Sequence, residues 1–102
     1  MNDDKRKTQR RPLLVEVRYE GAGMRGETRI SDMSATGVYV DVMNPLPAGV
    51  SLTLNFALPD GHEVYAQGVV VRSESRIGMA VMFTRIKPED QQRIAELVAQ
   101  AV

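Results

Sequence analysis

Between Ser51 and Leu58 the chain alternates without a break. Leu52, Leu54, Phe56 and Leu58 are interleaved with Ser51, Thr53, Asn55 and Ala57. Only a strand places every second residue on one face; a helix would scatter those four large side chains around its axis. The same period recurs along most of the sequence. Leu13, Val15, Val17 and Tyr19 alternate with Leu14, Glu16, Arg18 and Glu20, and Val38, Val40 and Val42 with Tyr39 and Asp41. Residues 27–32 form a weaker run anchored by Ile30, residues 64–72 a fifth, and residues 76–83 a sixth, with Met79, Val81 and Phe83 on one face. Turn formers separate the runs: Gly21-Ala22-Gly23, the loop Asn44 to Gly49, and Pro59-Asp60-Gly61, where glycine supplies the positive φ of a hairpin.

After the last strand, Pro88 opens a helix at the position where a missing N–H costs nothing, and Glu89 and Asp90 follow where the helix dipole favours negative charge. Ile94, Leu97, Val98 and Ala101 make one apolar stripe. Lys87 is a poor N-cap, which predicts a weakly closed first turn. Six short strands and one terminal helix predict an all-β fold, a six-stranded antiparallel barrel partly covered by that helix.

At 102 residues the chain is the size of one small domain. Its 43% apolar and 25% charged residues are an ordinary globular balance, which excludes neither binding nor catalysis. There is no cysteine, which excludes disulfides and thiolate metal sites. No apolar run is long enough to span a membrane, and the charged N-terminus lacks the apolar core of a secretory signal. The expected location is the cytoplasm. Net charge is zero, but residues 1–11 carry Lys5, Arg6, Lys7, Arg10 and Arg11 against Asp3 and Asp4, a local excess of three positive charges. That segment shows no apolar periodicity and reads as a flexible basic arm. The barrel is expected over 12–102, with its helix from about 88. A basic arm on a mildly acidic body suits a local anion better than a nucleic-acid-coating surface.

Two short stretches carry chemistry. In the arm, Arg6 and Arg10 have the spacing Arg-x-x-x-Arg; guanidinium groups grip phosphate bidentately and also take the O6/N7 edge of guanine. Between the second and third strands lies Asp32-Met33-Ser34-Ala35-Thr36-Gly37, an Asp-x-Ser-x-x-Gly turn. Asp32 offers acceptors for guanine N1–H and N2–H₂, Ser34 a hydroxyl, and Gly37 an absent side chain where backbone and ligand meet. Each stretch alone has a plainer reading, the first as a solvated basic tail and the second as an ordinary strand-to-strand turn.

Taken together and in this order, the two motifs resemble the PilZ domain, the bacterial receptor module for cyclic di-GMP. In that family an Arg-x-x-x-Arg arm precedes the first barrel strand and an Asp/Asn-x-Ser-x-x-Gly turn joins the next two. The likeness extends over about residues 5–100, through Gly78-Met79-Ala80-Val81-Met82-Phe83 into Lys87-Pro88-Glu89. It implies that Arg6 and Arg10 contact guanine and phosphate while Asp32, Ser34 and Gly37 line the same pocket. It implies a receptor or adaptor without cofactor, whose arm orders over cyclic di-GMP and alters the interaction with a downstream protein. In this family a basic residue before the first arginine is associated with a stacked pair of ligands. Lys5 holds that place, which favours the pair without deciding it. Lys5 and Arg11 are additional candidate donors, and Arg76 is a more distant one.

The remaining residues point to no catalytic constellation. His62, the single histidine, follows a turn with no nucleophile pattern beside it and is expected to be exposed. The six methionines read as core filler or partner surface. Two other readings stand beside the receptor: a PilZ-fold interaction module that does not respond to nucleotide, and a small nucleic-acid-binding barrel. The 5% aromatic content and acidic body weigh against the last.

Overall fold

The computed structural model describes residues 11–100. Six strands occur in chain order: β1 (Arg11–Gly21), β2 (Met24–Ser34), β3 (Gly37–Asp41), β4 (Ser51–Ala57), β5 (Glu63–Glu74) and β6 (Gly78–Arg85); a single helix follows, α1 (Pro88–Ala99). All pairings are antiparallel, and they close a barrel in the order β1-β2-β3-β6-β5-β4. Closure leaves no free sheet edge. The fold class expected from the alternation is the one formed.

The inward set follows the period of two. Val15 and Val17, Val38 and Val40, Leu52, Leu54 and Phe56, Val64 and Val70, and Met79 and Val81 are all buried. Full burial of each such side chain contributes about 1.5–3 kcal/mol, so the alternation is the main source of stability. Ile94 and Val98 extend the core from α1, and Leu46 does so from the β3–β4 loop. Ala22 and Gly23 both have positive φ at the β1–β2 turn, the left-handed pair that suits a two-residue hairpin.

Three strands, β1, β2 and β5, run longer than the sequence pattern marks them. β2 continues to Ser34 because a register shift between Ile30 and Asp32 restores inward orientation, burying Met33 as well as Ile30. Lys87 caps α1 with no side-chain hydrogen bond, as its chemistry predicts. The helix is instead held from the side by two turns. Gln91 Nε2 donates to the Ala35 carbonyl in the β2–β3 turn at 2.7 Å. His62 Nε2, after the β4–β5 turn, lies 2.7 Å from Asp90 Oδ1. This corrects the expectation of an exposed histidine: His62 is half-buried because it partners Asp90, which is itself buried in the first turn of α1. Arg93 adds a weaker ion pair to Asp60. Among the methionines, Met33 and Met79 are core, whereas Met24, Met43 and Met82 are exposed.

Candidate functional site

The Asp-x-Ser-x-x-Gly stretch straddles the end of β2, the two-residue turn Ala35-Thr36 and the start of β3. Its internal hydrogen bonds make it a rigid corner. Ser34 Oγ accepts from the Thr36 amide at 3.2 Å, lies 3.1 Å from Thr36 Oγ1 and donates weakly to the Gly37 carbonyl at 3.5 Å. Thr36 in turn offers its carbonyl to the Phe83 amide at 2.9 Å. With the Gln91 bond to Ala35, the turn is fastened to both β6 and α1.

Gly37 has a more demanding reason to be glycine than turn formation. A Cβ there would fall 2.2 Å from the Val81 carbonyl oxygen, so β3 and β6 could not keep their spacing. Ser34 is buried and its hydroxyl is engaged within the turn, so its first role is to shape the corner. Asp32 is half-buried and faces outward on the same wall.

These three residues share one open cavity of about 330 Å³ on the outer face of the β2-β3-β6-β5 wall. Its other walls include Tyr39, Val71, Arg72 and Met82, none of which the sequence motif marks. They arrive through cross-strand register: Asp32 lies opposite Tyr39, Tyr39 opposite Ala80, and Ala80 opposite Arg72. No local signal reveals such a row, since it depends on β3 pairing with β6. Burial, and then the bond that the Tyr39 hydroxyl donates to the Glu74 carboxylate, pushes that phenol up to about 12, with Arg72 opposing. Tyr39 is therefore a neutral donor over the whole physiological range.

The start of β1 lies beside the same motif. Pro12 pairs with Asp32 and Arg11 with Met33, so the root of the arm runs alongside the motif. Lys5, Arg6 and Arg10 lie outside the described residues, as does the side chain of Arg11. Arg76 belongs elsewhere: it borders a separate cavity with Leu14, Met43 and Ile77. A larger depression of about 780 Å³, over the β1–β2 hairpin and Tyr65, shares no residue with the Asp32–Gly37 cavity. Among the described residues, no cluster of three or more acidic or histidine side chains is suited to hold a metal ion. No helix among them is long and apolar enough to cross a membrane.

A family model described as "PilZ domain" matches residues 4–100. The chain belongs to the PilZ domain family. Solved structures share the fold. The inhibitor of motility MotI/DgrA of Bacillus subtilis superposes with a TM-score of 0.82 at 20% identity, over 96% of this chain and 51% of that one. This PilZ domain thus spans about half the length of MotI/DgrA. The PilZ domain of CeSA from a cellulose-synthesizing bacterium gives 0.68 at 20% identity, covering 89% of this chain and 95% of that chain. The PilZ domain of YcgR from Escherichia coli, solved with c-di-GMP, gives 0.64 at 12% identity, covering 96% and 92%. No curated protein sequence matches the chain.

Proposed function

We propose that this PilZ domain is a cyclic di-GMP receptor in which the arm and the Asp32–Gly37 corner close on the ligand from two sides. The observation that carries this reading is the register of β1 on β2. It pairs Pro12 with Asp32, so the chain enters β1 beside the cavity that Asp32, Ser34 and Gly37 line, and the Arg-x-x-x-Arg segment directly precedes that entry in the sequence. Arg6 and Arg10 supply cations for phosphate and guanine O6/N7, and Asp32 supplies acceptors for guanine N1–H and N2–H₂. Lys5 and Arg11 stand beside them as further donors. The output passes to a downstream protein. Its route begins at the corner, where Gln91 ties the turn to α1, so a ligand that shifts Ala35 is felt by the helix.

Calorimetric titration with cyclic di-GMP tests the reading, because it reports affinity and stoichiometry together. Binding by the natural chain is expected. Arg6→Ala and Arg10→Ala should each weaken it by about 1.5–3 kcal/mol, the range for hydrogen bonds to charged groups, or roughly ten- to a hundredfold. Absence of binding by the natural chain would leave a PilZ-fold interaction module that does not use the nucleotide.

A further inference from the structure

The exposed arginine of β5 has a setting that stability does not explain. Arg72 is 62% exposed, and its Nε lies 3.7 Å from the Glu74 carboxylate, a surface pair of the kind that contributes little. Its guanidinium carbon nevertheless sits 5.9 Å from the centroid of the Tyr39 ring. Three features hold it there. The register shift between Val70 and Arg72 re-aims the strand at this point. Ala80, the residue between Arg72 and Tyr39 in the cross-strand row, is small enough to let the long side chain lie back. The Tyr39 ring is itself fixed: it lies over Gly78, where a Cβ would come within 2.6 Å of Cε2, and its hydroxyl is tethered to Glu74.

The result is a Tyr39 ring packed against the Gly78 backbone with the Arg72 guanidinium over the ring. That planar cation is on the wall of the same cavity as Asp32. Beside it Val71 and Met82 remain 51% and 48% exposed, apolar surface that the barrel does not cover. A flat delocalised cation flanked by apolar side chains matches the face of a purine, and guanidinium planes stack on bases.

We propose that Arg72, presented on Tyr39, is a ligand-contacting residue of this site and stacks on the face of one guanine base, while Asp32 reads the edge of a guanine. The inference rests on the cyclic di-GMP reading of the site and adds a contact that neither motif contains. Tyr39 acts through Arg72 as its platform.

The test compares the natural chain, Arg72→Ala and Arg72→Lys by calorimetric titration with cyclic di-GMP, with thermal unfolding of each as a folding control. Because Arg72 is exposed, the unfolding midpoints should coincide. Arg72→Ala is expected to bind about tenfold more weakly, the scale of a lost stacking contact. Arg72→Lys should lose nearly as much, since an ammonium keeps the charge but not the plane. Natural affinity in Arg72→Lys would overturn the stacking role in favour of charge alone, and natural affinity in Arg72→Ala would remove the residue from the site. In both cases the natural chain still binds, and the receptor reading stands. If the natural chain does not bind, that reading falls and the Arg72 contact falls with it.

Discussion

Gly37 and Asp32 belong to one six-residue motif, yet the structure asks different things of them. At Gly37 the constraint is steric and independent of any ligand: a methyl group would press on the Val81 carbonyl, a backbone atom of a paired strand that cannot rotate away. Gly37→Ala should therefore destabilise the unliganded protein by about 1–3 kcal/mol, the usual cost of overpacking. Chemical denaturation without nucleotide measures it directly, and an unchanged midpoint would mean that β3 and β6 part easily. Asp32 is half-buried and lines the outer cavity, and in the proposed receptor its carboxylate reads a base edge. Asp32→Ala should weaken cyclic di-GMP more than cyclic di-AMP, because adenine lacks the N1–H and N2–H₂ donors that a carboxylate accepts. Equal loss for both ligands in competing titrations would make Asp32 a shaping residue, like Ser34.

At the scale of elements, the β2–β3 turn and α1 are joined by one short bond from Gln91 to the Ala35 carbonyl. Gln91→Ala should lower stability by about 0.5–1.5 kcal/mol, the net worth of such a bond, with a small offset from the better helix propensity of alanine. If the corner and the helix are coupled, hydrogen exchange at the Thr36 and Gly37 amides should quicken and cyclic di-GMP affinity should fall with it. A stability loss with unchanged affinity would disconnect the helix from the site. The elements themselves were legible in the sequence, because alternation at Leu52–Leu58 or Val38–Val42 is a local signal with one solution. The Asp32–Gly37 stretch was legible for the same reason, as six contiguous residues. Pairing was not. Nothing near Tyr39 announces that β3 will lie against β6, so the row that brings Tyr39 and Arg72 to Asp32 stayed hidden. His62 was misread on the same account, since its partner Asp90 is 28 residues away and reaches it only once α1 has docked. Bulges were invisible too: the shift after Ile30 that buries Met33 breaks the very period used to find the strand.

For the whole molecule the decisive quantity is the distribution of charge. A neutral chain whose first eleven residues hold five cations and two carboxylates leaves the remainder with three excess negative charges. Between Asn2 and Arg11 there is no apolar residue, so burial cannot offset the ordering of that segment, which costs about 1–2 kcal/mol per residue for the backbone alone. The missing contacts would have to come from a ligand, and cyclic di-GMP supplies phosphates and guanine edges that also relieve the repulsion among Lys5, Arg6, Lys7, Arg10 and Arg11. The predicted behaviour is an arm that becomes ordered when the nucleotide binds, over a barrel whose strands do not change. Backbone NMR relaxation across residues 1–11, without and with cyclic di-GMP, should show restricted motion only in the complex, while the β4 and β5 amides stay as they were. Affinity should fall as salt rises, since part of the attraction is between exposed charges that counterions screen within about 8–10 Å. An arm equally restrained in both states, or equally free in both, would rule out ordering as the signal even where titration confirms binding. The downstream protein would then have to sense the corner and α1, reached through Gln91, rather than a newly covered arm.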